Sequence, residues 1–314
     1  MDNFKQIKPK AITTANIAIK KLVFEGYGLG DIEGYKVFVP GGYPGDVVTV
    51  SLYKKKRSHA FGRITAIITA SKYRENSPCK HFMLCGGCQI LDVSYDNQLA
   101  LKTLIIEDAC HHLFPELHSK VSTIIPTKTY YYHRNKMEFS FGISEDGLLI
   151  CGLKKRGSYK EIVVLEECLV QDKEIPKLLS FTTYFINTYL KDQLDLTIFE
   201  SIMIRHSKNN NSLMIMLTLS ELQEVPLQSL LKQLKDNFIR IKSIHIAIKK
   251  VQQGTPTRID LKHIDGAPFI EEKFDTTLYQ ISPLSFFQTN SKQACALYTF
   301  IRDEAGLAMN HIVF

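Results

Sequence analysis

The sequence predicts an α+β multidomain chain in which a small OB-like β-barrel precedes a larger α/β region built on an antiparallel sheet. Three observations carry this. Residues 12–70 are rich in β-branched side chains and are punctuated by Gly26, Gly28, Gly30, Gly34, Gly41, Gly42 and Gly45, the pattern of short strands and tight turns. Residues 132–170 alternate, as in Met137-Glu138-Phe139-Ser140-Phe141-Gly142, and hold a turn signal at Glu145-Asp146-Gly147. With 314 residues the chain exceeds what one small core requires.

The elements follow in order. The runs ITTANIAIKKLV, KVFVPG, VVTVSLY and FGRITAIITA supply about five short strands over roughly 60 residues, enough for a small closed barrel. Lys54-Lys55-Lys56-Arg57-Ser58-His59 reads as a hairpin tip that offers positive charge. The run Gly26-Tyr27-Gly28-Leu29-Gly30 is read as a glycine-rich β-turn and not a nucleotide loop, because no helical pattern follows it. Residues 94–114 read as a helix with Ser94 as N-cap and an apolar stripe of Leu99, Leu101, Leu104, Ile105 and Ala109. His111 and His112 at its end read as surface residues favoured by the helix dipole. A helix is expected at about 173–190. A hairpin is expected from Ile202–His206 and Leu213–Leu217, turning at Asn209–Asn211. Further on, the pattern gives a helix over 224–238, a strand over 243–250 and a helix over 291–306 with Gly306 as cap. His311-Ile312-Val313-Phe314 reads as the opening of a buried strand. A domain stopping there would leave ladder groups unpaired, so truncation of the polypeptide is expected.

Composition narrows the class. Hydrophobic residues make up 45% and charged residues 23%, which excludes disordered and collagen-like chains. No apolar run reaches the roughly 18 residues of a transmembrane helix, and MDNFKQIKPK has no signal-peptide apolar region. A cytoplasmic monomer with no membrane partner is expected. Residues 1–72 carry 12 Lys/Arg against five Asp/Glu, an excess equal to the whole net charge of +7. A local basic excess attracts phosphate backbones, although a merely soluble basic surface has the same composition.

The strongest local signal is Cys79-x5-Cys85-Gly86-Gly87-Cys88. Three thiols on one glycine-bearing loop can converge on a point, and Cys168, in the polar corner Glu166-Glu167-Cys168, is the best fourth ligand. Four thiolates suit either an iron–sulfur cluster or structural zinc. Cys110, Cys151 and Cys295 fall within helix or strand patterns and read as buried packing residues.

The order Cys79-x5-Cys85-Gly86-Gly87-Cys88-Gln89, Arg134-Asn135-Lys136-Met137-Glu138-Phe139-Ser140-Phe141-Gly142, Cys168 and Ile281-Ser282-Pro283-Leu284-Ser285-Phe286-Phe287-Gln288-Thr289-Asn290 resembles the S-adenosylmethionine-dependent RNA uracil-C5 methyltransferases. It is most similar to the 23S ribosomal RNA branch with a TRAM domain and a [4Fe–4S] cluster. The resemblance covers essentially the whole chain. It implies a TRAM RNA-binding barrel at 1–72, to which Lys54, Lys55, Lys56 and Arg57 belong. It implies a central iron–sulfur and RNA-binding domain at 73–90 and 123–282. It implies an incomplete, Rossmann-like methyltransferase domain at 91–122 and 283–314. Cys79, Cys85, Cys88 and Cys168 match the cluster ligands, with zinc as the alternative. Gln288 matches a residue contacting S-adenosylmethionine, Phe286 an aromatic at the RNA face, and Arg134 and Lys136 fall where the central domain meets RNA. The family adds a cysteine thiolate to C6 of uracil and removes the C5 proton with a carboxylate, on a base taken out of its stack. The resemblance places nucleophile and base beyond Phe314, so no catalytic residue is expected in this chain and the 314 residues alone are expected to be inactive. The competing readings are a non-catalytic RNA-binding or ribosome-assembly protein with a zinc- or iron-clasped module, and an electron-transfer iron–sulfur protein, which the basic barrel disfavours.

Overall fold

The structure, a computed structural model, describes residues 13–114, 124–250, 254 and 256–306. The chain divides into two compact units, Met1–Pro126 and Thr127–Phe314. The strand expected at His311–Phe314 lies outside the described residues.

The first unit is a six-stranded curled sheet. Its strands are β1 (Thr14–Ala18), β2 (Lys21–Val23), β3 (Tyr27–Ile32), β4 (Tyr35–Pro40), β5 (Val47–Tyr53) and β6 (His59–Thr69), in the order β1-β5-β6-β4-β3-β2. All neighbours are antiparallel except β4 and β6, which run parallel. Alternation drives the curl. Tyr35, Val37 and Val39 of β4 and Val48, Val50 and Leu52 of β5 point into one core with Ile17, Ile19 and Ala60. Each buried aliphatic side chain there contributes about 1.5–3 kcal/mol.

One expectation is corrected. Tyr27-Gly28-Leu29-Gly30 belongs to strand β3 and is not a turn. A Cβ on Gly28 would lie 2.5 Å from the Gly42 carbonyl oxygen, and one on Gly30 would lie 2.3 Å from Ile17 Cγ2. These glycines serve the close passage of backbone over backbone and not a bend. Loop reversal falls instead to Gly34, at φ +88°.

Helix α1 (Tyr95–Leu113) starts where Ser94 accepts a hydrogen bond from the Asn97 amide, 3.4 Å. Of the expected stripe only Leu101 is buried, against Leu22, Tyr43 and Val93. Leu104 is 49% exposed. Lys21 pairs with Asp108 at 2.7 Å. Between sheet and helix, Arg74 makes a bidentate pair with the fully buried Asp46, both bonds 2.8 Å. Asp46 also accepts from the amides of Tyr43 and Ser71, and Arg74 reaches Asp92 and the Gly41 carbonyl.

The second unit holds a seven-stranded sheet. It uses β7 (Lys136–Ile143), β8 (Leu149–Lys154), β9 (Ile162–Val164), β10 (Phe199–His206), β11 (Leu213–Leu219), β12 (Ile241–Lys250) and β13 (Arg258–Gly266), in the order β13-β12-β11-β10-β7-β8-β9. Helix α2 (Ile175–Phe185) continues as a π-helix over Ile186–Leu190, where Asn187 bonds both the amide and the carbonyl of Leu149, each 2.9 Å. Helix α3 (Glu224–Asn237) links β11 to β12, the one parallel pair of this sheet, and packs on β12 and α2. A separate hairpin, β14 (Ile270–Phe274) with β15 (Thr277–Ile281), and helix α4 (Ser291–Glu304) follow. Ile270 and Ile281 of the hairpin, with Phe287, pack on Met203, Met214, Met216 and Ala247 of the sheet. Strands β13 to β15 have no counterpart among the sequence expectations. Cys151 is buried as expected, whereas Cys110 and Cys295 are half-buried on the flanks of α1 and α4. Among the described residues no helix is long and apolar enough to cross a membrane.

Close packing around β3 leads to a direct test. Gly30→Ala is expected to destabilise the first unit by about 1–3 kcal/mol through overpacking. Gly34→Ala, with nothing within 4 Å of the added atom, is expected to cost only the roughly 1 kcal/mol of a left-handed residue. Thermal melts of the two variants check the order.

Candidate nucleic-acid interface

In the second unit the expected site residues gather around the segment 282–290, between β15 and α4. Asn135, only 2% exposed, clamps it. Its amide donates to the Thr289 carbonyl at 2.7 Å, and its side-chain Nδ2 donates to the Gln288 carbonyl and to Ser291 Oγ, both at 2.8 Å. Ser291 Oγ donates in turn to the buried Glu272 at 3.0 Å. Arg134 forms an isolated bridge with Asn290, and Asn290 caps α4 through the Gln293 amide, 3.1 Å. At the other end, Arg205 donates from Nη2 to the Ser285 carbonyl at 2.7 Å.

The segment divides its two phenylalanines. Phe287 packs inward against Phe274, ring centroids 5.1 Å apart. Phe286 is 86% exposed. Taken alone, a phenylalanine in such a sequence reads as core; here it projects from a braced loop. Gln288 is half-buried with its carbonyl held by Asn135.

Arg205 and Lys136 face each other across β10 and β7. Arg205 is 1% exposed, and its Nε and Nη1 have no partner among the described residues. Burial pushes its guanidinium down to about 10. Burial, and then the charge of Arg205, also lower Lys136. Like charges opposed across strands are unfavourable, and Glu138 on the same strand as Lys136 offsets part of that repulsion. Neither Asn135 nor Arg205 was singled out from the sequence as a supporting residue. The available signal was an arginine inside the apolar run Ile202-Met203-Ile204-Arg205.

The basic loop stands in the first unit. Lys54, Lys56 and Arg57 are exposed and Lys55 half-buried. The buried Tyr35 hydroxyl ties the base of this loop, 2.8 Å from the Lys56 carbonyl and 2.6 Å from that of His59.

Cys79, Cys85 and Cys88 are half-buried on a loop closed by main-chain bonds, Phe82 to Cys79 at 3.1 Å and Cys85 to His81 at 2.8 Å. The Gly87 amide donates to Cys85 Sγ at 3.3 Å, as amides do to the sulfurs of metal-bound cysteines. The donors therefore suit a soft metal or an iron–sulfur cluster in kind. Among the described residues, however, no three His, Cys, Asp or Glu side chains are gathered to hold an ion. Cys168, half-buried, belongs to the second unit.

No protein-family model matches the chain. Curated relatives do. It is 28% identical over 305 residues to an uncharacterized RNA methyltransferase of Caldanaerobacter subterraneus subsp. tengcongensis, covering 95% of this chain and 67% of the relative. It is 28% identical over 303 residues to one of Thermotoga maritima, with the same coverage. It is 29% identical over 310 residues to one of Clostridium tetani, 94% of this chain and 66% of that one. This chain is similar to these RNA methyltransferases over almost its whole length. It spans about two thirds of the length of these RNA methyltransferases. The fold is shared with Pyrococcus abyssi tRNA (uracil-54, C5)-methyltransferase in complex with S-adenosyl-L-homocysteine, at TM-score 0.66 and 23% identity over 92% of this chain and 64% of that one.

The clamp makes two expectations. Asn135→Ala removes the side-chain bonds to the buried Ser291 hydroxyl and to the Gln288 carbonyl, keeps the main-chain bond to Thr289, and is expected to cost about 1–3 kcal/mol. Phe286→Ala is expected to lie within about 0.5 kcal/mol of the parent. Urea denaturation separates them.

A pH dependence also follows. His206, 5% exposed, is pushed down to about 4 by burial and by the charge of Lys208. The unfolded chain, with histidine near 6.5, takes up the proton first as pH falls. The stability this neutral ring contributes is therefore complete above about pH 6.5 and declines towards pH 4, by about 3 kcal/mol. Denaturation curves of the parent and His206→Gln across that window are expected to show a shallower slope for the variant.

Proposed function

We propose that this chain is the RNA-engaging portion of an S-adenosylmethionine-dependent uracil-C5 methyltransferase acting on 23S ribosomal RNA. The observation that carries the reading is Phe286, 86% exposed on a segment whose flanking carbonyls are held by the buried Arg205 and Asn135. An apolar ring kept in water on a rigid mount suits stacking against a base displaced from its helix. The half-buried Arg134 and Lys136 beside this segment suit the adjoining phosphates. In the first unit, Lys54, Lys55, Lys56 and Arg57 suit the backbone contacts of a TRAM-type barrel.

S-adenosylmethionine, when bound, supplies an electrophilic methyl group. Gln288 is the residue of this chain proposed to hold it, through its side-chain carboxamide, on a segment whose course is fixed by the Asn135 bond to its carbonyl. No nucleophile or base is assigned here, and Cys295, half-buried on α4, is not promoted to one. The chain's own work is to bind the RNA, orient the displaced uracil and keep the cofactor segment in place.

Cys79, Cys85, Cys88 and Cys168 are proposed to hold a [4Fe–4S] cluster, on donor chemistry and sequence resemblance, with zinc as the alternative. The uracil reaction itself needs no electron transfer, so the cluster is assigned a structural role. Iron content and visible absorbance of anaerobically purified protein are expected to fall together in Cys88→Ala. Colourless protein with stoichiometric zinc identifies the alternative.

Affinity for a 23S ribosomal RNA fragment, followed across salt concentrations, tests the main reading. The 314-residue chain is expected to bind it, and to transfer no labelled methyl group to uridine. Replacing Lys54, Lys55, Lys56 and Arg57 by alanine is expected to flatten the salt dependence by about 0.7 per lost contact. A parent chain that does not bind RNA overturns the proposal.

A further inference from the structure

The outward face of the curled sheet in the first unit carries a row of aromatic rings. Strand alternation sends Val37, Val39, Val50 and Leu52 inward and leaves Tyr27, Phe38, Tyr53 and Phe61 outward and half-exposed. Register aligns them. Phe38 is opposite Phe61 across β4 and β6, and Phe61 is opposite Tyr53 across β6 and β5. The Phe38 and Phe61 centroids are 5.5 Å apart at 31°, and those of Tyr53 and Phe61 are 6.0 Å apart at 39°. Tyr27 meets Phe61 edge-on at 5.8 Å. Cations border the row. Arg63 lies 5.9 Å from the Tyr53 ring centre, Lys36 is exposed beside Phe38, and Tyr53 leads directly into the basic loop at 54–57.

Aromatic rings held in register on an outward face, rimmed by cations, fit one ligand chemistry better than others. Flat bases present a π-face to such rings regardless of their identity, while the backbone between them needs positive charge. The excess of basic residues in residues 1–72 equals the whole net charge of the chain, and Lys36, Arg63 and the 54–57 loop, which border this face, are part of it. An apolar protein partner would not call for that excess, and a duplex offers its edges and phosphates but not its base faces.

We propose that Tyr27, Phe38, Tyr53 and Phe61 form a stacking platform for unpaired RNA bases, with Arg63 and the 54–57 loop engaging the phosphates between them. The platform rests on the reading of this chain as an RNA-engaging protein and adds to it a preference for single-stranded segments.

The experiment uses the full chain with labelled single-stranded and duplex RNA of equal length, read by fluorescence anisotropy. Phe38→Leu and Phe61→Leu keep apolar bulk but lose the ring. Each is expected to weaken single-strand binding about tenfold, leave duplex binding within about twofold and leave the salt slope unchanged, while Phe61→Tyr retains parental affinity. The chain contains no tryptophan, so Phe61→Trp installs a single reporter, whose emission single-stranded RNA is expected to quench. Parental single-strand affinity in both leucine variants, or unquenched Trp emission at saturating RNA, overturns the platform. If those variants bind normally while alanines at 54–57 abolish binding, the platform falls and RNA engagement stands. If the parent ignores RNA and binds anionic vesicles or an acidic protein instead, both fall.

Discussion

A carboxylate with no exposure to water must be met by donors from every side, and Asp46 is such a group. It is met by both arms of Arg74 and by two backbone amides. These donors come from the β4–β5 connection and from the segment after β6, so the pair fixes where the chain leaves β6 and enters the cysteine loop. Arg74 then extends the network to Asp92, whose carbonyl holds Glu75 at 2.8 Å. Removing one partner would strand a buried charge, at a cost of about 3–5 kcal/mol. The cysteine loop is thereby anchored at both ends whatever it holds.

The second unit obeys the same constraint with different groups. Asn135, Glu272 and Ser291 come from β7's approach, β14 and α4, and they are linked by hydrogen bonds through the Ser291 hydroxyl. Because each is buried, none can move without leaving another unpaired. The consequence is a loop of fixed course between β15 and α4. That fixed course lets one phenylalanine fill the core while its neighbour stands in solvent. Arg205 is less well matched: a buried guanidinium with two open donors beside Lys136 is costly.

Relatives and fold agree on the level at which the chain is placed. Identities of 28–29% to RNA methyltransferases extend over 94–95% of the chain, and the shared fold with a tRNA uracil-C5 methyltransferase covers 92% of it.

The sequence by itself determined most of the elements, because hydrophobic period and turn chemistry are local. The strands over 36–53, the Ser94 cap, the Asp146-Gly147 turn, the hairpin around Asn209–Asn211 and the helix before Gly306 all follow from neighbouring residues. It also marked the basic excess and the cysteine spacing. Tertiary structure decided what depends on distant partners. Gly28 and Gly30 look like turn residues until Gly42 and Ile17 are seen against them. Phe286 and Phe287 are equivalent on paper, and only the clamp from Asn135 and Arg205 assigns one to solvent. Phe38, Tyr53 and Phe61 sit on three separate strands, so their common row exists only once the register of β4, β6 and β5 is set. Burial, pairing and register are properties of contacts between remote segments, and no local pattern encodes them.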